Sequence, residues 1–210
     1  MTNNYTTSTD AFADIAEGNY ASSDYGNMDT LVAVASRLID LDMGVWPGYF
    51  YPTTDDVTRY YDGSGTDEQR IDSFVSIASV SVAEEGGTAS TDYTAWSSSD
   101  YILWPYNYSA DGKPISKLIV DWNGSKAIFY RFRKSVQVVG VAGYAATTPA
   151  PIEQACKIQS LRWFMRGKAG YQDTGATVEI GGMRFSGQLE LDPDVKAMLY
   201  PYKLERSAGG

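Results

Sequence analysis

The sequence predicts an α+β fold, a small helical bundle formed by the N- and C-terminal parts with a large antiparallel β domain inserted between them. Three observations predict it. Two long stretches, one from about Met28 to Met43 and one from about Thr148 to Arg166, carry apolar stripes at helical spacing with no local partner to bury them. Between Gly44 and Tyr144 the pattern changes to β-branched and aromatic alternation. The composition, with 16 Tyr and only 20% charged residues, suits strands and ordered surfaces better than long solvated helices. The expected boundaries are 1–45 and 144–210 for the helical module with its C-terminal arm, and 46–143 for the β-rich insertion.

The elements follow in chain order. A short helix is expected over Asp10 to Glu17, started by Ser8 or Thr9. Asn27 caps the first long helix, Gly44 stops it, and Leu31, Val34, Ala35, Leu38 and Leu41 share one face. Val57–Tyr61 is a strand that enters a Gly-rich turn. In Phe74–Ala83 the apolar alternation slips phase between Ile77 and Val80, which signals a bulge. Lys117–Trp122 and Ala127–Arg133 read as a hairpin joined by Asn123-Gly124, because both residues tolerate positive φ. In the second of these strands Ile128, Tyr130 and Phe132 share a face. Ser135–Val141 is a further strand. Pro149 and Pro151 open the second long helix, with Ile152, Ala155, Ile158, Leu161 and Met165 as its stripe. The expected helical core is therefore Leu31, Val34, Leu38, Ile152, Ile158 and Leu161. Thr177–Gly187 suggests a small hairpin or an extended arm. Asp192-Pro193-Asp194 starts a last short helix that Pro201 ends.

Composition also narrows the function. The net charge is −9, and the 17 basic residues are scattered. Gripping a DNA backbone needs clustered Lys and Arg. An acidic surface instead favours solubility and weak non-specific binding. No His is present, so the usual neutral-pH base and the commonest metal ligand are missing. The single Cys156 excludes an internal disulfide and a cysteine zinc cage, and its place in a helical stripe marks it as a core residue. Met1–Tyr5 lacks the pattern of a signal peptide, and no apolar run approaches the ~20 residues that span a bilayer. A soluble chain made in a reducing cytoplasm is expected.

Site motifs were weighed residue by residue. Thr58–Gly65, with Asp62 before a glycine, has the look of a binding loop. Counted from Asp62, however, the sixth position of a calcium loop holds Asp67 where glycine is required. The stretch reads as a turn, without metal. Asp55-Asp56 and Glu84-Glu85 are adjacent pairs, and neighbours on a strand face opposite ways. Gly181-Gly182 fits no phosphate-loop pattern. No nucleophile elbow is present, so no catalytic residue and no cofactor are assigned. The five Trp and many Tyr suit a β core and a protein interface before a sugar face.

Four segments together resemble a known family. They are Leu31–Gly44, Phe50–Gly65 with its YYDG turn, Val138–Gly167 with Gly-Tyr before a Pro-initiated helix, and the closing Leu191–Lys203. In that order, over roughly half the chain, they resemble the head–tail connector (adaptor) proteins of tailed bacteriophages. The resemblance implies a helical bundle that assembles as a homo-oligomeric ring, usually of about twelve subunits, on the portal vertex. Such a ring sits in the virion neck, extends the DNA channel without sequence-specific binding, and docks the next neck or tail protein. It also implies that the C-terminal segment reaches the portal, with Tyr200, Tyr202, Lys203 and Arg206 as contact candidates. Two departures stand out. Val45-Trp46 replaces the family's basic residue after the first helix, and the insertion is more elaborate than the family plan. The rival expectations are another tail or neck protein, a receptor- or glycan-binding β protein of a phage, and a carboxylate-dependent glycosidase.

Overall fold

The computed structural model describes residues 3–13, 21–85, 92–168 and 191–203. The elements in order are α1 (Ser8–Ala13), α2 (Ser22–Met43), β1 (Val57–Tyr61), β2 (Glu68–Val82), β3 (Thr94–Ala95), β4 (Tyr101–Trp104), α3 (Tyr108–Asp111), β5 (Ile115–Val120), β6 (Val136–Ala142), α4 (Ala150–Lys168) and α5 (Pro193–Leu199), which a 3-10 turn (Tyr200–Tyr202) follows. They divide into two compact units. One is Met1–Gly48 with Thr148–Gly210, and the other is Tyr49–Thr147. The fold class is α+β, with all printed strand pairs antiparallel.

In the first unit α2 packs on α4, with α1 against both and α5 on α4. The helix α2 starts earlier than expected, at Ser22 and not near Asn27. Its first turn is fastened by Asp24, whose carboxylate accepts the Ala21 N–H at 3.1 Å and pairs with Lys168 at 2.6 Å. An acid in the first turn also suits the positive end of the helix dipole. The helix ends where expected. Gly44 adopts the left-handed conformation at φ 70°, and the N–H groups of Gly44 and Val45 donate to Leu41 and Asp40.

The helical core needs a correction. Val34 is 50% exposed, and Leu31, Leu38, Ile158 and Leu161 are only half-buried. Of the expected set Ile152 is fully buried. The stripe that faces inward on α2 is Met28, Val32, Ala35, Ile39 and Met43. The physical reason is that α2 carries two apolar stripes, each at i, i+3, i+4 spacing, and only one face can meet α4. The inward stripe is the one with polar companions that reach partners. Ser36 accepts the Tyr5 N–H, and Asp40 accepts the Tyr5 hydroxyl and the Gly48 N–H. Cys156 lies against Ser36 and the Val32 carbonyl, and burial pushes its thiol up to about 11. It is a core thiol, as its position suggested.

In the second unit the strands run β1-β6-β2-β5-β4, with β3 on β2. The 15-residue β2 is the spine: its first part pairs with β5 and its later part with β6 and β3. The β2–β6 register shifts between Ile77 and Ser79, where the phase slip placed a bulge. Phe74, Val80, Val82, Trp96, Ile115, Leu118, Phe129 and Val138 fill the core. Fully burying such aliphatic and aromatic side chains contributes about 1.5–3 kcal/mol each. The ends of the unit meet, because the Tyr144 N–H donates to the Tyr49 carbonyl at 2.8 Å and Tyr49, Phe50 and Tyr144 cluster their rings.

The expected Asn123-Gly124 hairpin is corrected. The turn is there, with Gly124 N–H donating to Asp121 and Asn123 N–H to the Asp121 carboxylate. The chain then docks on the loop at Ser97–Asp100, where Asp100 accepts from Ser125 N–H and Ser97 N–H. Residues 126–131 form no strand. Their backbone instead meets the loop 63–66, with Phe129 N–H on Thr66, Gly65 N–H on Phe129 and Gly63 N–H on Phe132. The expected face also inverts. Phe129 is buried and stacks on Trp96 at 4.8 Å, while Ile128 and Phe132 are exposed. The short first helix is Ser8–Ala13. Residues 14–17 of that expectation and the expected hairpin over 177–187 lie outside the described residues.

Candidate interaction surfaces

The Asp62 loop turns the chain and holds its own neighbours. The Asp62 carboxylate accepts the Lys134 N–H at 2.7 Å. That bond matters because Lys134 sits at φ 52°, a conformation a non-glycine residue needs support to keep. The Tyr93 hydroxyl donates to the Lys134 carbonyl, and the Lys134 ammonium lies 4.3 Å from the Tyr60 ring centroid. Beneath the turn Gln69 is buried and satisfied: it accepts from Ser64 N–H and donates to the Asp62 and Arg70 carbonyls. Gly63 is packed so closely that a Cβ there would meet the Tyr130 carbonyl oxygen at 1.8 Å. The loop is thus a fitted structural joint between 62–66 and 129–135.

The carboxylates singled out in pairs stand apart from any shared pocket. Asp55, Asp56, Glu84 and Glu85 are all exposed. Asp72 is engaged by Arg59 at 2.8 Å and the Tyr61 hydroxyl at 3.1 Å. Burial is the main cause that raises the Tyr61 phenol. Among the described residues no cluster of His, Cys, Asp and Glu has the geometry of a metal site.

The C-terminal segment is anchored at one end and open at the other. Asp192 N–H donates to the buried Gln159 side chain at 3.0 Å, and Arg162 forks onto Asp194 at 2.6 and 2.8 Å. Leu191, Val195 and Leu199 are buried. Pro201 cannot continue the helix, and the chain tightens into the 3-10 turn at Tyr200–Tyr202. There Tyr200 is 77% exposed, Tyr202 is half-buried and Lys203 is exposed. Tyr200 and Lys203 border a small groove with Asp42 and Met43 of α2. The structure thus brings three of the four contact candidates onto one turn. Arg206 lies outside the described residues.

Two further surfaces stand out. The outward stripe of α2, with Val34 and with Leu41 at 75% exposure, forms a shallow apolar groove together with Thr30, Ala33, Arg37 and Leu38. In the β unit the exposed rings of Trp104 and Tyr106 meet edge to face at 4.6 Å, and the Lys117 ammonium lies 4.9 Å from the Trp104 ring. Trp122 is exposed as well, whereas Trp96 is core. Sequence reasoning assigned the α2 stripe to the core. The signal that separates the two stripes is the pair Ser36 and Asp40, polar groups that need buried partners.

No family model matches the chain, and no curated protein matches it. Solved structures do. A chain from the neck of an empty GTA particle, computed with C6 symmetry, superposes with a TM-score of 0.54 at 12% identity, over 97% of this chain and 91% of that one. A chain from the neck of a native GTA particle, computed with C12 symmetry, gives 0.48 at 11% identity over 96% and 91%. A chain from the virion of a native gene transfer agent particle gives 0.47 at 11% identity over 97% and 91%. The first of these likenesses carries the comparison, and it spans both units: this chain has the fold of a particle-neck protein. Among the described residues no helix is long and apolar enough to cross a membrane.

Proposed function

We propose that this chain is a structural virion protein of a phage neck, a head–tail adaptor that forms a homo-oligomeric ring on the portal vertex. The ring extends the DNA channel and docks the next neck or tail protein. The observation that carries this reading is the end-to-end likeness, over 97% of this chain, to a chain of a GTA particle neck. The ordered motifs from Leu31 to Lys203 support it independently, because they were read before any fold was known. The charge of −9 suits a channel wall past which DNA slides without sticking. The protein's role on this reading is architectural and non-enzymatic.

The portal-facing element is the turn after α5. Tyr200, Tyr202 and Lys203 stand on an anchored base, and Arg206 follows. Aromatic and basic side chains on such a base are the types that dominate interface energies. Each single contact is weak, and a ring of portal subunits would present many together, so assembly depends on the template.

The test is native mass spectrometry of the 23.0 kDa chain, alone and mixed with the portal protein of the same particle. A portal-dependent complex carrying about a dozen copies is expected. A variant ending at Pro201 should keep the melting transition of the full chain and lose portal binding. A full chain that ignores the portal at every concentration overturns the reading. The Trp104–Tyr106–Lys117 platform favours a second reading, a glycan-binding tail protein. Saturation-transfer NMR with host polysaccharide that perturbs Trp104 and leaves portal binding absent would establish that one instead.

A further inference from the structure

We infer that the outer faces of α2 and α4 are the two halves of one head-to-tail contact between copies of this chain, the α2 of each subunit seated on the α4 of the next. The inference rests on the ring reading above and adds which surfaces close the ring.

Helix geometry places the two faces. At about 100° per residue, Val34, Leu38 and Leu41 point nearly opposite to Met28, Val32, Ala35 and Ile39, which face inward. On α4 the inward residues are Ile152, Ala155, Cys156 and Gln159. Gln154, Ile158, Leu161 and Met165 lie on the other side, with Met165 54% exposed. Since α2 and α4 pack inner face to inner face, their outer faces look away from each other. One chain thus carries two different apolar stripes on opposite sides of a helix pair. That is what a heterologous contact needs, and when its rotation closes it generates a ring.

Charge says what covers each stripe. The helix α2 carries Asp24, Asp29, Asp40 and Asp42 against Arg37, a net −3. The helix α4 carries Lys157, Arg162, Arg166 and Lys168 against Glu153, a net +3. Adding Asp192, Asp194 and Lys196 of the segment packed on it lowers that side to +2, without changing its sign. An acidic helix face on a basic one is favourable, whereas α2 on α2 or α4 on α4 juxtaposes like charges. The charge pattern therefore selects the head-to-tail arrangement over a two-fold dimer. The levels agree as well. Cys156 contacts Ser36 and Lys168 pairs with Asp24, so the helices are antiparallel. By that register Val34 lies level with Ile158, and the two outer stripes overlap along their length.

The test uses the full chain with Val34→Cys, with Gln154→Cys, and with both, treated with a short thiol–thiol cross-linker, alone and with the portal protein. Both positions are exposed, so the fold is kept, and circular dichroism checks it. The native Cys156 is buried and stays unreactive. The double variant should give a ladder of covalent multimers. A mixture of the two single variants should give a dimer and nothing larger, and each single variant alone should stay monomeric. Cross-linking of Val34→Cys to itself would mean a two-fold contact and overturn the inference. A ring seen by native mass spectrometry without the ladder overturns the face assignment and leaves the ring reading standing. A chain that never assembles, with or without portal, overturns both.

Discussion

At the scale of single residues, two glycines carry opposite expectations. Gly63 sits where a Cβ would meet the Tyr130 carbonyl oxygen at 1.8 Å and the Ser135 hydroxyl at 2.5 Å. The backbone oxygen cannot swing aside, so Gly63→Ala has to push the two loops apart, at a cost of about 1–3 kcal/mol or more. Gly26 lies inside α2 with nothing within 4 Å of the added atom. There Gly26→Ala removes freedom from the unfolded chain and should stabilise by about 0.4–1 kcal/mol. Urea unfolding of the two variants, read by circular dichroism, should shift the midpoint in opposite directions. Carboxylates set a second expectation at this scale. Asp24 is held below its ordinary value of 3.8 chiefly by its hydrogen bond from Lys168. Asp100 is held low chiefly by the Ser125 N–H, and Asp194 by Arg162. A carboxylate with a depressed folded value adds stability above its unfolded value and loses it as pH falls through the folded one. The three contributions are thus present above about pH 4 and fade below it. Asp40, raised by burial, has the opposite sign and gives no acid-limb loss. In Asp100→Asn the amide keeps one acceptor and cannot titrate. Its stability should fall less steeply than wild type between about pH 4 and pH 2. Equal slopes would mean that Ser97 and Ser125 do not hold the ionised form.

At the scale of elements, the two faces of α2 are separable by substitution. Ile39 is fully buried against α4, and Ile39→Ala should cost about 2–5 kcal/mol in denaturant unfolding. Val34 is on the outer stripe, and Val34→Ala should fall within about 0.5 kcal/mol of wild type for the isolated chain. Similar losses at both sites would restore Val34 to the core. The same helix shows what the sequence made legible. Its existence and its stop followed from apolar spacing and Gly44, both local signals. Which of two equally spaced stripes turns inward depends on the partner helix more than 100 residues away, and only Ser36 and Asp40 hinted at it. The bulge at Ile77–Ser79 was visible because a phase slip is written into one strand. The 126–131 segment was misread because its β-rich composition says nothing of its partner. It meets an irregular loop at 63–66, which no strand period encodes. The candidate portal turn was legible through Pro193 and Pro201, which bracket α5 whatever surrounds it.

At the scale of the whole molecule, the chain enters and leaves the β unit at neighbouring points. The Tyr49 carbonyl and Tyr144 N–H are 2.8 Å apart, and the rings of Tyr49, Phe50 and Tyr144 close the unit at that seam. The β unit has its own core around Phe74, Leu118 and Phe129, and the helical unit has its own around Val32, Ile39 and Ile152. Two cores with adjacent crossing points are the signature of an inserted domain, since termini that lie close together tolerate insertion and removal. A chain of residues 49–147 alone should therefore give one cooperative melt with a β spectrum. A chain in which a short Gly/Ser linker replaces 49–147 should give one with a helical spectrum. The second chain also separates structure from assembly. It retains α2, α4 and the Tyr200–Lys203 turn, so on the ring reading it should still multimerise with the portal. If it folds and binds portal but no longer docks the next neck protein, the β unit is the docking element. If it folds and cannot assemble at all, the ring contact lies in the β unit, and its exposed Trp104–Tyr106 edge becomes the surface to test.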